Sequence, residues 1–324
     1  MLLLKLESNL VAKFPAKIRP LNILSLESFF NAGLATPLQL LDHPVFEKAG
    51  IQVYLKREDL IHPQVSGNKW RKLKYNLVVA KALGFKHILT FGGAYSNHIY
   101  STAAAGSIAG FKTTGIIRGE ETLPLNATLS FAKEQGMQLL YMDRTSYREK
   151  GTAAVIDGLR KKLGSFYLIP EGGTNRLALK GVEELLDDIT IPFDYIATPV
   201  GTGGTLAGLI PKLKQGQRAL GFSALKGDAF LEKAISQLLG KEAKLLNWEI
   251  LYEYHFGGYA KVKPVLIEFM KAFETQFNIP LDPVYTAKML YGLFNLAEKG
   301  FFEKGKTIIA LHTGGLQGRA GFAL

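Results

Sequence analysis

The run Ser66-Gly67-Asn68-Lys69 stands directly before an amphipathic stretch, "WRKLKYNLVVAKALG", that reads as a helix. Three readings of Lys69 compete. It is one of a row of solvated cations with Arg71, Lys72 and Lys74; or it belongs to a loop that grips an anion; or its amine is held at a fixed point to attack a carbonyl. A second chemical group lies far down the chain, in "TPVGTGGTLAGL". There an apolar strand runs into Gly201, Gly203 and Gly204, which let backbone amides converge. Thr202 and Thr205 add hydroxyls, and the helix start beyond adds free N–H groups. No Lys-Ser/Thr pair closes this loop, so it is not a Walker motif, and its glycine spacing is not that of a dinucleotide fingerprint. It suits one compact phosphate.

A reactive lysine and a phosphate cup are two of the three things that pyridoxal phosphate requires of a protein; the third is a group at its ring nitrogen. On the residues alone this cofactor competes with the solvated reading of "KWRKLK". Other strand-to-helix junctions offer further groups. In "FGGAYSNHIYSTAAAG", Ser96 or Asn97 caps a helix, or the same groups receive a carboxylate. His98 lacks the spacing of a zinc ligand and reads as a packing or hydrogen-bonding residue. In "IPEGGTNRLALKG", Thr174 is placed to cap, and Arg176 in the first turn is either solvated or met by Glu171. In "DPVYTAKM", Asp282 caps, Pro283 suits the first helical position, and Tyr285 follows. Tyr252, Tyr254 and Tyr259 in "YEYHFGGYAK" read mostly as packing aromatics, and "LHTGG" offers the Thr313 hydroxyl.

The elements that must position these groups alternate. Apolar runs such as "IQVYLKR", "HILTFGG", "KTTGIIRG", "MQLLYM", "FYLIP", "FDYIATPV", "RALGFSAL", "WEILYEY" and "KTIIALH" read as strands. Between them lie stretches of 3.6-residue periodicity, including one helix through "YREKGTAAVIDGLRKKLG" and two around 260–277 and 284–298. Gly84, Gly110, Gly136 and Gly164 sit where helices stop. This is an α/β pattern with parallel pairing and right-handed crossovers; periodicity does not fix the number of sheets. Of 324 residues, 47% are hydrophobic and 21% charged, a soluble globular balance with room for one or two domains. No run is long and apolar enough to span a membrane. "MLLLKLESNLVAKF" lacks the parts of a secretory leader, so a cytoplasmic location is expected. The chain has no cysteine, which excludes disulfides, cysteine nucleophiles and thiolate metal sites. The net charge of +11 is spread over helices without a recognition module, so no nucleic-acid partner is expected.

Taken together, "SGNKWRKLKYNL", "FGGAYSNH", "TPVGTGGTLAGL", "DPVYTAKM" and "HTGG" resemble the 1-aminocyclopropane-1-carboxylate deaminase and D-cysteine desulfhydrase family, from "ATPLQLL" to the C-terminus. The resemblance implies a fold type II pyridoxal-phosphate enzyme like the tryptophan synthase β chain. Two parallel-sheet α/β domains would hold the cofactor between them, the larger from 1–74 and 166–324 and the smaller from 75–165. It implies Lys69 as the covalent anchor and Asn68 beside the cofactor's phenolic oxygen. Gly201, Thr202, Gly203, Gly204 and Thr205 would hold the phosphate, Thr286 would face the pyridine nitrogen, and Thr313 would line the same side. Ser96 and Asn97 would bind substrate, with Ser96 near the reacting centre, and Tyr285 and Tyr259 would cover it. A small amino-acid substrate and a homodimer are implied, with no metal, nucleic acid or membrane.

Within that family Thr286 bears on the reaction. The deaminases carry a glutamate after the tyrosine that corresponds to Tyr285. A carboxylate favours a protonated pyridine nitrogen, whereas a threonine hydroxyl can hydrogen-bond an unprotonated one. Thr286 thus favours α,β-elimination, with D-cysteine giving pyruvate, ammonia and sulfide. The alternative is ring opening of 1-aminocyclopropane-1-carboxylate to 2-oxobutanoate and ammonia. A dehydratase-like enzyme, a cofactor-free metabolite-binding protein and a nucleic-acid-binding protein are the other classes to be separated.

Overall fold

The strand-forming runs assemble into two sheets in a computed structural model that describes residues 21–31, 35–227, 230–240 and 247–322. The segment examined for a leader, 1–14, lies outside the described residues, as do Asp228 and Ala229 at the expected start of the helix before Leu239. The strands are β1 (Leu38–Leu40), β2 (Gln52–Lys56), β3 (His87–Gly92), β4 (Lys112–Arg118), β5 (Gln138–Met142), β6 (Tyr167–Ile169), β7 (Tyr195–Val200), β8 (Arg218–Ser223), β9 (Trp248–Leu251) and β10 (Thr307–Leu311). The larger sheet runs β1-β2-β10-β7-β8-β9 and the smaller β5-β4-β3-β6. Every pairing is parallel except β1 with β2.

Helices cover both faces of the larger sheet. Pro264–Phe277 and Thr286–Glu298 pack on one side through Leu266, Met270, Phe273, Met289 and Leu293. Arg176–Glu183, Gly204–Leu209 and Phe230–Leu239 pack on the other through Val182, Leu206, Leu231 and Ile235. Double coverage is why β7 and β8 are buried after their first residue; such strands read as continuous apolar runs rather than alternating ones. The smaller sheet is sandwiched in the same way, with Leu73, Leu77 and Ala104 against one part and Phe91, Tyr147 and Ile156 against another.

The structure revises several local expectations. The helix expected through "YREKGTAAVIDGLRKKLG" is two, Arg144–Arg148 and Ala153–Leu163, because the Thr152 side chain accepts from the Val155 amide and starts a new helix. Asn175, not Thr174, caps Arg176–Glu183 by accepting from the Ala178 amide. Arg176 is exposed, and Glu171 instead meets Lys150 at 3.1 Å and the Tyr147 hydroxyl at 2.9 Å. Pro283 is not the first helical residue: Asp282 accepts from the amides of Val284, Tyr285 and Thr286, and the helix begins at Thr286.

The largest revision concerns the basic helix Asn68–Ala82. Arg71, Lys72 and Lys74 are 0%, 3% and 5% exposed, so they do not form a solvated face. Arg71 pairs with Glu58 at 3.0 Å and Asp188 at 2.6 Å, and Lys74 pairs with Glu184 at 2.6 Å. The helix is a buried joint between segments far apart in sequence. A boundary at 74/75 would fall inside it, and a boundary at 165/166 would cut β6 from the smaller sheet that it completes. We propose that the smaller unit instead starts after Ala82 and includes β6. Among the described residues no helix is long and apolar enough to cross a membrane, and no cluster of three His, Cys, Asp or Glu is placed to hold a metal.

Candidate active site

The C-terminal ends of β3, β7 and β10 and the start of the helix Asn68–Ala82 enclose a cavity of about 390 Å³. This is the usual ligand position in parallel α/β folds. Lys69, Asn68, Ser96, Asn97, Gly201 to Thr205, Tyr259, Tyr285 and Thr313 all line it. Residues more than two hundred positions apart thus meet in one site.

The lysine loop is fixed by a backbone crossing. Gly67 has φ +65°, and a Cβ there would lie 1.8 Å from the Thr313 carbonyl oxygen. Only glycine fits both the space and the dihedral. The Asn68 amide donates to that same carbonyl at 3.3 Å. The Asn68 side chain donates to Thr205 Oγ1 at 2.8 Å and accepts from Lys69 Nζ at 2.7 Å, joining the lysine to the glycine loop. Trp70 points away, donating to the Phe30 carbonyl and stacking on His62. Burial pulls the Lys69 amine down to about 8, against the opposing charge of Asp282.

Lys72 is the residue that sequence reasoning missed. Its ammonium donates to the Gly172 carbonyl at 3.1 Å and to Thr174 Oγ1 at 3.3 Å. A Cβ on Gly204 would come within 3.1 Å of it and 2.6 Å of Thr174 Oγ1. Thr174 Oγ1 in turn lies 2.6 Å from Thr202 Oγ1. Burial first, then the charge of Lys69, holds Lys72 well below the usual lysine range. Among the described residues neither Lys69 nor Lys72 has a salt bridge. A buried cation without a counter-charge is costly, and an anion in the glycine loop would supply one.

On the facing wall, Ser96 Oγ accepts from the Ile99 amide at 3.3 Å, so the expected cap is real, and Asn97 begins the helix Asn97–Ala109. His98 is buried with Nε2 2.7 Å from Thr90 Oγ1, and burial, Lys69 and Lys72 hold it well below 6.5. Its charged form is disfavoured, and the ring lines the cavity. The Tyr259 and Tyr285 rings meet edge to face at 6.2 Å. Burial raises both phenols, and Tyr285 is held further up by the neighbouring Tyr259 and Asp282. Arg118, unremarked in the sequence, lines the mouth with its guanidinium 6.0 Å from the Tyr259 ring. Thr286 alone of the expected site residues does not line the cavity. It is 0% exposed, and its side chain meets the Asp282 carboxylate, a contact that lowers that carboxyl against the larger upward effect of burial.

The family model described as "Pyridoxal-phosphate dependent enzyme" matches residues 30–314. The chain belongs to that family. A protein of Pyrococcus horikoshii named "Putative 1-aminocyclopropane-1-carboxylate deaminase" is 33% identical over 297 residues, covering 87% of this chain and 90% of its own length. A protein of the same name from Pyrococcus furiosus is 35% identical over 302 residues, with the same shares. The mitochondrial "Bifunctional D-cysteine desulfhydrase/1-aminocyclopropane-1-carboxylate deaminase" of Arabidopsis thaliana is 29% identical over 333 residues, covering 94% of this chain and 82% of that one. A crystal structure of an "ACC deaminase homologue" superposes with TM-score 0.78 at 29% identity, over 94% of this chain and 98% of the other.

As a fold type II pyridoxal-phosphate enzyme, the chain has residues that fit its cofactor. The Lys69 amine lines the cavity. Gly203 and Gly204 have no room for side chains, since added Cβ atoms would lie 2.6 Å from Ile235 and Thr174. The loop they form presents amides and hydroxyls beside the Lys72 amine. These are the groups that an aldehyde and a phosphate call for.

Proposed function

We propose that this enzyme deaminates a small amino acid by α,β-elimination, with D-cysteine as substrate and pyruvate, ammonia and sulfide as products. Lys69 Nζ holds the cofactor covalently. Gly201 to Thr205 and Lys72 hold the phosphate, and Asn68 lies beside the phenolic oxygen. Thr286 serves the ring nitrogen, and Thr313 lines that side. Bound pyridoxal phosphate supplies an electron sink for charge leaving Cα. Ser96 and Asn97 receive the substrate carboxylate. The Lys69 amine, when free, would remove the Cα proton; an amine with a pKa of about 8 is a competent base near neutrality. Tyr285, kept protonated by burial, donates to the leaving sulfur, and Tyr259 orients it. A homodimer and a cytoplasmic location are part of the proposal.

Thr286 carries the choice of reaction. By the family resemblance, Thr286 and no carboxylate would take the position where a strong electron sink needs an acid. The nearest acid in sequence, Asp282, is committed to three backbone amides. The second reading, ring opening of 1-aminocyclopropane-1-carboxylate, is favoured by the names of the Pyrococcus relatives, and those names weigh more for it than for elimination. The Arabidopsis name includes both reactions. The test compares kcat/KM for D-cysteine with that for the cyclopropane amino acid on one holoenzyme preparation. Preference for the cyclopropane substrate would replace the first reading by the second.

A further inference from the structure

Lys288 belongs to the "DPVYTAKM" motif but not to the chemistry assigned above. It lies three residues after Tyr285 on the helix Thr286–Glu298 and is 1% exposed. Its amine does not enter the cavity. It donates to the carbonyls of His255 at 2.9 Å and Gly258 at 2.8 Å. The residue that follows Gly258 is Tyr259. The backbone between the two carbonyls and just beyond is unusual, since Phe256, Gly257, Gly258 and Ala260 all have positive φ. Phe256 and Ala260 have no glycine freedom there, so surrounding contacts must hold that shape.

Those contacts come from one stripe of the same helix. Lys288 binds the His255 and Gly258 carbonyls, Tyr291 packs edge-on against Phe256 at 5.0 Å, and the Tyr254 hydroxyl donates to Asn295 Oδ1 at 3.1 Å. Positions 288, 291, 292 and 295 follow helical spacing and share a face. Gly292 lets the helix approach closely, since a Cβ there would lie 2.9 Å from the Tyr254 ring. Lys288 is the end of the stripe nearest Tyr285 and the member that grips main-chain atoms next to Tyr259.

We propose that Lys288 is a positioning residue whose amine fixes the 255–260 loop so that Tyr259 stands over Tyr285. One helix then carries one tyrosine of the pair and holds the other in register. Burial pulls Lys288 down to about 8, but both the ammonium and the neutral amine have the two N–H donors the grip uses. The inference rests on the reading of Tyr259 as a site residue.

A double-mutant cycle on the holoenzyme tests it, with Lys288→Met, Tyr259→Phe and the pair, read as kcat/KM with the proposed substrate and as the absorption band of bound cofactor. Lys288→Met is expected to lower kcat/KM by on the order of 100-fold, the effect of a small misplacement, mainly in kcat and with the cofactor band kept. The double variant is expected to be little worse than the poorer single one, because Lys288 acts through Tyr259. Lys288→Gln, which keeps two N–H donors, is expected to recover part of the loss and carries the cycle if the Met variant does not fold. Multiplying losses in the cycle would overturn the positioning role, as would full activity in Lys288→Met. A Tyr259→Phe variant as active as the parent would overturn the reading of Tyr259 itself, and the Lys288 proposal with it.

Discussion

Lys69 and Lys72 lie three residues apart on one helix and share a cavity, yet their surroundings suit different tasks. Among the described residues, Lys69 Nζ hydrogen-bonds only the Asn68 side chain, so its amine is placed to exchange partners. Unprotonated amine is the nucleophile, and burial brings it into range. Capture of pyridoxal phosphate by the stripped protein is therefore expected to accelerate as pH rises through about 8 and then level off, rather than near 10.5; stopped-flow absorbance follows it. Lys72 is instead fastened to the Gly172 carbonyl and Thr174. Replacing it by Met removes a charge-assisted contact worth about 1.5–3 kcal/mol, so the Kd for pyridoxal phosphate should rise roughly 10- to 100-fold, measured by titration. The sequence does not reveal this division. Lys69 stands out through Gly-Asn-Lys, but the partners of Lys72 lie a hundred residues away, and in the sequence it is one cation among four.

At the scale of elements, the site depends on one chain crossing and one side-chain tie. The Gly67–Thr313 crossing puts the lysine loop against the segment after β10, and Asn68 then ties it to Thr205. Gly67→Ala places a Cβ inside a carbonyl contact and a methyl at positive φ. It is expected to cost about 1–3 kcal/mol from strain alone and to abolish the cofactor band; a thermal melt and an absorption spectrum check both. The glycine loop was legible because strand, loop and helix occur in the order that anion sites use. The split of the helix near Thr152 was signalled by Gly151-Thr152, a stop followed by a cap. The place of Thr286 was not legible: motif adjacency puts it beside Tyr285, whereas the helix start turns it inward, behind the cavity wall.

At the scale of the molecule, alternating apolar runs and helices announced parallel α/β layers, and the two sheets observed follow from that pattern. What the pattern could not show is how the sheets are joined. The Asn68–Ala82 helix does this with two kinds of contact: its buried cations pair with Glu58, Glu184 and Asp188 of the larger unit, while Leu73, Leu77 and Ala80 pack with Ile88, Ala104 and Tyr167 of the smaller one. Periodicity gave no warning, because charged residues on an amphipathic helix normally face water. Glu58→Gln leaves the fully buried Arg71 with Asp188 as its carboxylate partner and is expected to destabilise the fold by about 1.5–3 kcal/mol, read by urea unfolding at pH 7.

The central claim is that Lys69 and a bound pyridoxal phosphate eliminate the β-substituent of an amino acid. Product analysis of the holoenzyme with D-cysteine, beside the Lys69→Ala variant, tests it most directly. Pyruvate, ammonia and sulfide are expected in equal amounts from the parent, with none above background from the variant. No pyruvate from the parent, or equal pyruvate from both proteins, would contradict it.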